Sequence, residues 1–208
     1  MTVADTSVLT PEILEQALSY EEYRNLMDRL LDKQKTTGEN HSEERLHYTK
    51  MNLYRMRRLD KYAKISPELK TKLQDLDRDF LWIVLTEGWS GDAAQNIPVI
   101  NKIAEFTPRI ELKMLLRDEN LNFMDQFLTD GKNRSIPKLV CLDARTHKIL
   151  GTWGPRPETA QQMAVDFKNN PDFSIKHATE ELHKWYADDK NEELQREFLA
   201  LIGKWENT

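Results

Sequence analysis

The sequence predicts an α/β protein in which a mixed central sheet lies between layers of helices. An apolar run at 79–86 is typical of a strand buried on both faces. A helical stretch at 92–105 separates it from a second apolar run at 110–116, a spacing suited to a right-handed parallel crossover. Two further runs, 137–142 and 149–153, flank a short polar turn and predict an antiparallel hairpin. The sheet should therefore contain both parallel and antiparallel pairs.

The residues before this sheet show helix signals and no clear strand. Thr10-Pro11 and Ser66-Pro67 each place a hydroxyl cap before a proline, whose missing N–H costs nothing in the first helical turn. Helices are predicted over residues 11–32, 42–62 and 67–76. We expect residues 1–78 to form a helical extension packed on the main domain.

Helices should also cover the sheet and follow it. They are predicted over about 119–129 and 158–169, with one or two more within 177–205. In the last segment one apolar stripe recurs at helical spacing, formed by Leu194, Phe198, Leu201, Ile202 and Trp205. The main domain is therefore expected at 79–170, and a second helical extension at 171–208.

Composition narrows the classes of function. The formal net charge is −5, without the global positive field of a general nucleic-acid binder. Residues 45–64 are an exception, with seven cationic side chains against the single acidic Asp60. These cations are distributed around a helix, so we do not expect nucleic-acid or anionic-membrane binding, although a local basic site stays an alternative.

Cysteine and hydropathy patterns exclude further classes. Cys141 is the only cysteine, so neither an intramolecular disulfide nor a zinc site of several thiolates can form. We predict no metal and no cofactor. Residues 1–13 lack the basic and apolar regions of a secretory signal, and no apolar run approaches the roughly 20 residues of a membrane span. We expect a cytoplasmic protein; its oligomeric state is not indicated.

The chemistry-bearing motif follows the first strand. The segment Trp89-Ser90-Gly91-Asp92-Ala93 resembles the thioredoxin turn Trp-Cys-Gly-Pro-Cys, which joins a central strand to a helix. Pro98 lies eight positions after Ser90, where thioredoxins have a proline that kinks the helix. Ile136-Pro137, just before a strand, resembles the loop whose cis-proline faces the redox motif.

Together these features resemble the thioredoxin-like family, and in particular a bacterial branch with Trp-Cys-Gly-Asp. The resemblance implies a three-layer thioredoxin fold and a role in cell redox homeostasis. The chain departs from the family at the positions that carry its chemistry: Ser90 replaces the attacking cysteine, Ala93 the resolving one, and Val84 stands where thioredoxin has a buried carboxylate. We therefore expect no dithiol–disulfide oxidoreductase activity from this chain.

Other nucleophiles are poorly placed. Ser90 would need a general base, and no histidine belongs to the motif in sequence; His147, in the hairpin turn, should lie across the sheet from it. Ser90 is better explained as a helix cap, and Asp92 as a charge at the helix N-terminus. Cys141 falls within an apolar strand, which indicates a small buried side chain and not a redox centre.

Two functional hypotheses follow. In the first, the chain is a non-catalytic module that binds a protein or peptide in a groove formed by Trp89, Ser90, Asp92, Ile136 and Pro137, with the Ile136 backbone pairing with an extended segment. In the second, the parent protein is a single-cysteine thiol–disulfide oxidoreductase, and this chain carries serine in place of Cys at position 90.

Overall fold

The computed structural model describes residues 9–170, 172 and 174–208, and it confirms the predicted fold class. The strands are β1 (Phe80–Thr86), β2 (Ile110–Leu116), β3 (Lys138–Asp143) and β4 (Ile149–Trp153). The helices are α1 (Pro11–Gln16), α2 (Tyr20–Asp32), α3 (Glu43–Tyr62), α4 (Pro67–Gln74), α5 (Gly91–Glu105), α6 (Leu121–Met124), α7 (Glu158–Asn169), α8 (Ile175–Asp189) and α9 (Glu192–Glu206). The predicted boundary at residue 171 lies outside the described residues.

The four strands form one sheet in the order β2-β1-β3-β4. β1 pairs with β2 in parallel, through the α5 crossover, and with β3 antiparallel; β3 and β4 form the hairpin. In the β1–β3 register Leu85 lies opposite Lys138. The end of β1 and the start of β3 therefore meet at one edge of the sheet, where the motif begins.

Side chains of β1 alternate between two buried clusters. Phe80, Trp82 and Val84 face the cluster that includes residues of α2, α3, α4, α5 and α9. Leu81, Ile83 and Leu85 face the other side, where residues of α6 and the turn after it cover the sheet. Because all seven β1 residues are buried, the strand is apolar throughout, as the sequence indicated.

An aromatic cluster fixes α9 to the sheet. Phe198 lies 5.3 Å from Trp82 and 5.4 Å from Trp153, measured between ring centroids, and Trp205 lies 6.1 Å from Trp82. A β-carbon on Gly151 of β4 would stand 2.2 Å from Trp205 Nε1, so only glycine leaves room for the indole there. The predicted stripe on the last helix thus belongs to the main core.

Two helix predictions need correction, and a third is made definite. The predicted helix 11–32 is two helices, because Leu18 leaves the helical path and exchanges backbone hydrogen bonds of 2.9 and 2.7 Å with Met114 of β2. The predicted helix 119–129 is the four-residue α6 between two 3-10 turns. The segment 177–205, expected to hold one or two helices, holds two, which are separated where Lys190 and Asn191 adopt left-handed backbone angles.

None of the helices within 9–170, 172 and 174–208 has the length and apolar composition that crossing a bilayer requires.

Candidate functional site

Ser90 lies at the tip of α5 and holds two parts of the chain together. Its Oγ accepts a hydrogen bond from Ala93 N at 3.2 Å, which caps the helix as predicted. The same hydroxyl donates to the carbonyl oxygen of Ile136 at 3.2 Å. Ser90 is only 7% exposed. The hydroxyl is thus engaged within the fold in both directions.

The loop before β3 faces this helix tip. The Ile136–Pro137 peptide bond is cis, and both side chains are buried. In the groove hypothesis the Ile136 backbone pairs with an extended segment, but here its carbonyl oxygen already accepts a hydrogen bond from the Ser90 hydroxyl. Of the predicted groove residues, Trp89 and Asp92 are partly exposed, while Ser90, Ile136 and Pro137 lie beneath the surface. The accessible part of this region must therefore be formed by other residues as well.

Two arginines cover the Trp89 ring. The guanidinium carbon of Arg45, on α3, lies 3.8 Å from the ring centroid, and that of Arg117 lies 5.0 Å from it. Both distances fit cation–π contacts. The indole Nε1 is buried and has no hydrogen-bond partner among the described residues. Trp89 is therefore held in place by charges from two separate segments.

Asp92 is the centre of a buried polar network and not only a charge at the start of a helix. Its Oδ2 lies 2.7 Å from an Arg156 nitrogen, and its Oδ1 accepts from the Tyr186 hydroxyl at 3.1 Å. Asn96 donates to the same hydroxyl at 3.0 Å. Burial raises the pKa of the Asp92 carboxyl, against the opposing effect of the Arg156 charge. The network fastens α8 and the β4–α7 loop to α5.

His183 of α8 does not belong to the motif in sequence, but it lies against the motif in the fold. A β-carbon on Gly91 would stand 3.2 Å from two atoms of its ring. Its Nδ1 lies 3.1 Å from the Gln95 amide nitrogen. Burial lowers the pKa of the imidazole to about 4, and the Arg55 charge acts in the same direction. A ring that is neutral at pH 7 and so weakly basic is a poor general base for Ser90.

A cleft of about 360 Å³ opens beside the motif between α3 and α8. Its floor includes Trp89, Gly91 and Asp92. The walls are formed by Glu44, Arg45 and Tyr48 on one side and by Arg156, Thr179, Leu182 and His183 on the other. Sequence reasoning placed none of these wall residues beside the motif, because α3, α8 and the β4–α7 loop are far from it along the chain.

A buried carboxyl does lie near the motif, at a position that sequence comparison did not indicate. Val84 is fully buried and apolar, as expected, whereas Glu87, three residues later, is 0% exposed. Glu87 Oε1 accepts from the backbone N–H of Asp118 at 2.9 Å. Burial raises the pKa of this carboxyl. The only sequence signal was an acidic residue directly after a buried strand.

Cys141 is inaccessible. It is 0% exposed, lies opposite Trp82 in the β1–β3 register, and burial raises the pKa of its thiol. His147 occupies the turn at the far end of β3 from Pro137, so it takes no part in the site. The described residues contain no group of three or more His, Cys, Asp or Glu side chains arranged to hold a metal.

Comparison with known proteins assigns the family. The sequence profile of a family described as Thioredoxin matches residues 38–170. The chain belongs to this thioredoxin-like family. A comparison with curated proteins found no match.

Two solved structures resemble this thioredoxin-like chain across most of its length. One is an HIV epitope scaffold, and the other is PA1234, a protein of unknown function from Pseudomonas aeruginosa. Each has a TM-score of 0.53 and 18% sequence identity, over 89% of this chain and 98% of the other. At this identity the likeness concerns the fold.

Proposed function

We propose that this chain is a thioredoxin-like binding protein that performs no thiol–disulfide exchange and receives an extended protein segment in the cleft beside Trp89. The observation that carries the proposal is the pair of hydrogen bonds made by Ser90. Its hydroxyl caps α5 through Ala93 N and donates to the Ile136 carbonyl, both at 3.2 Å. The position that would present a thiolate to a disulfide has become a structural link.

The residues needed for a dithiol cycle are missing. Exchange begins when a thiolate attacks one sulfur of a disulfide, and it ends when a second thiol displaces that mixed disulfide. Ser90 supplies no sulfur for the first step, and Ala93 none for the second. Cys141 is buried within β3 and has no access to a substrate.

The binding half of the proposal rests on the cleft. It lies where thioredoxin-like proteins present their motif, its volume of about 360 Å³ suits one or two side chains, and Trp89 is partly exposed on its floor. Aromatic and arginine side chains, both present here, are the residue types that dominate binding energy at protein interfaces.

Turnover of a disulfide substrate tests the chemical half. We expect that the wild-type chain does not accelerate the reduction of insulin disulfides by dithiothreitol above the uncatalysed rate. The variant Ser90→Cys/Ala93→Cys should accelerate their reduction, because it restores both sulfurs to the helix tip. The proposal would be contradicted if the wild-type chain accelerated this reduction and the Cys141→Ala variant accelerated it as well.

Peptide binding tests the other half. A pool of capped random decapeptides is titrated into ¹⁵N-labelled protein while the Trp89 indole signal, assigned by its loss in Trp89→Phe, is followed. We expect this signal to shift and saturate. An indole signal that stays fixed at millimolar peptide, in a protein that remains folded, would exclude binding at this cleft.

The second candidate is a thiol–disulfide oxidoreductase with a single cysteine at position 90. It is favoured by the likeness to the Trp-Cys-Gly-Asp branch and by the Ala93 N–H that now points at the Ser90 oxygen, since the same donor would stabilise a thiolate. In Ser90→Cys the thiol pKa should then fall below the ordinary value of about 8.5. A pKa at or above that value, from pH-dependent alkylation, would exclude this candidate.

A further inference from the structure

Hydrogen-bond donors converge on the cleft from both walls. Arg45 approaches from α3, with its guanidinium carbon 3.8 Å from the Trp89 centroid. His183 lines the other side together with Arg156, whose two terminal nitrogens already contact Asp92 and Gln161. With the Gln95 amide nitrogen donating to His183 Nδ1 at 3.1 Å, the neutral imidazole carries its proton on Nε2, one of the two ring atoms nearest Gly91.

One arginine at the cleft has no acidic partner within ion-pair distance among the described residues. Asp92 is matched by Arg156 at 2.7 Å, and Glu44 is an exposed residue at the rim. Arg45 forms no ion pair within the described part of the chain. Arg55, which does not line the cleft, donates to the Asn52 amide oxygen at 2.8 Å and is near enough to Asp92 for the two charges to interact. Arg45 therefore lines the cleft without a carboxylate partner, in a chain of net charge −5.

We propose that the cleft receives a carboxylate side chain, Asp or Glu, of an acidic peptide segment. A guanidinium offers parallel N–H donors that match a carboxylate, and stacking on Trp89 already orients the plane of Arg45. The inference rests on the proposed function. It specifies a side chain and not a chain terminus, because an extended segment passing Trp89 can place a side chain in the cleft without ending there.

Two peptide pools separate this inference from the proposed function. Both are capped at each end to remove terminal charges and randomised, except that one has Glu and the other Gln at two central positions. We expect the Glu pool to saturate the Trp89 indole shift at an at least about tenfold lower concentration at low salt, with the advantage shrinking as salt is added. Equal saturation overturns the acidic preference alone; no shift with either pool overturns both proposals.

Variants test whether Arg45 provides the selectivity. Arg45→Gln should remove most of the preference for Glu, and Arg45→Lys should keep part of it, because the charge remains while the planar pair of donors is lost. Arg145→Gln is the matched control, since Arg145 is exposed in the β3–β4 turn at the opposite end of β3. Its preference should equal that of the wild type. An undiminished preference in folded Arg45→Gln contradicts the assignment.

A third pool, with phosphoserine at the two fixed positions, distinguishes carboxylate from phosphate. Both groups satisfy arginine donors, so each should bind better than Gln. We expect the Glu pool to bind at least as tightly as the phosphoserine pool, because the exposed Glu44 at the rim repels a doubly charged group more strongly. Clearly tighter binding of phosphoserine would overturn the choice of carboxylate.

Discussion

The Ser90 side chain connects the first turn of α5 with the cis-proline loop 46 residues later in sequence. A thiol at the same place would be a weaker donor to the Ile136 carbonyl, so the serine hydroxyl suits a fixed loop better than a reactive one. At this scale the Ser90 hydroxyl makes two structural hydrogen bonds, and their contribution should be measurable as stability.

Ser90→Ala should lower the free energy of unfolding by about 1–2 kcal/mol, because it removes a helix cap and leaves the buried Ile136 carbonyl without its donor. Ser42→Ala is the control: Ser42 caps α3 with a 3.4 Å hydrogen bond at an exposed position, so its loss should be smaller, about 0.5 kcal/mol. Urea unfolding measures both. If Ser90→Ala lowers the free energy of unfolding no more than Ser42→Ala does, the hydrogen bond from Ser90 to Ile136 contributes nothing to stability.

Among the elements, the strands were the easiest to predict, since β1 is apolar on both faces and β3 and β4 are separated by a clear turn. The break between α1 and α2 was missed because the apolar periodicity continues through it. The available signal was the capping box of Ser19 and Glu22, in which each side chain bonds the other's backbone N–H. The bridge from Leu18 to Met114 has no local signature at all.

The site was predictable only in its contiguous part. Trp89, Ser90 and Asp92 are neighbours in sequence, and the cis-proline loop follows from family resemblance. The contribution of α8 to the site could not be predicted, because an amphipathic pattern shows that a helix packs on the protein but does not show which residues it contacts. His183 and Tyr186 reach the motif from about 90 residues away.

The contact between α8 and the motif can be measured with Gly91→Ala. The added β-carbon would stand 3.2 Å from the His183 ring, tight enough to displace it, so the gain of up to about 1 kcal/mol that alanine brings to a helix should be lost. In a His183→Ala background the same change should become stabilising. Gly203→Ala in α9, whose β-carbon would have only Lys72 at 3.9 Å, should stabilise equally in both backgrounds. Equal effects of Gly91→Ala with and without His183 would disprove the contact.

Over the whole molecule, the helices before and after the sheet share one core with it. Tyr23 of α2, Leu69 of α4 and Phe198 of α9 belong to the same buried cluster as Trp82. We therefore expect proton binding at one site to change the free energy of unfolding of the entire chain.

The His183 imidazole should make stability depend on pH. Its pKa is about 4 in the fold and about 6.5 in the unfolded chain, so between these values the unfolded chain binds more protons. The free energy of unfolding should thus fall as pH is lowered from about 6.5 towards 4. His183→Gln should flatten this fall, as followed by urea unfolding at a series of pH values.

Comparison with the variant is needed because other groups act in the opposite sense. Burial raises the carboxyl pKa of Glu87, Asp92, Asp189 and Glu197, so these groups favour the folded state as acid is added. Only the difference between wild type and His183→Gln isolates the imidazole. Parallel profiles for the two proteins would mean that His183 is not held neutral by the fold.

The aromatic cluster around Phe198 also gives the protein an optical signature. Three of its five tryptophans, Trp82, Trp153 and Trp205, are fixed in asymmetric surroundings there. The near-ultraviolet circular dichroism signal should therefore depend mainly on how the last helix packs on the sheet. Loss of this signal while far-ultraviolet ellipticity persists would indicate a state in which the helices have formed but have not yet packed together.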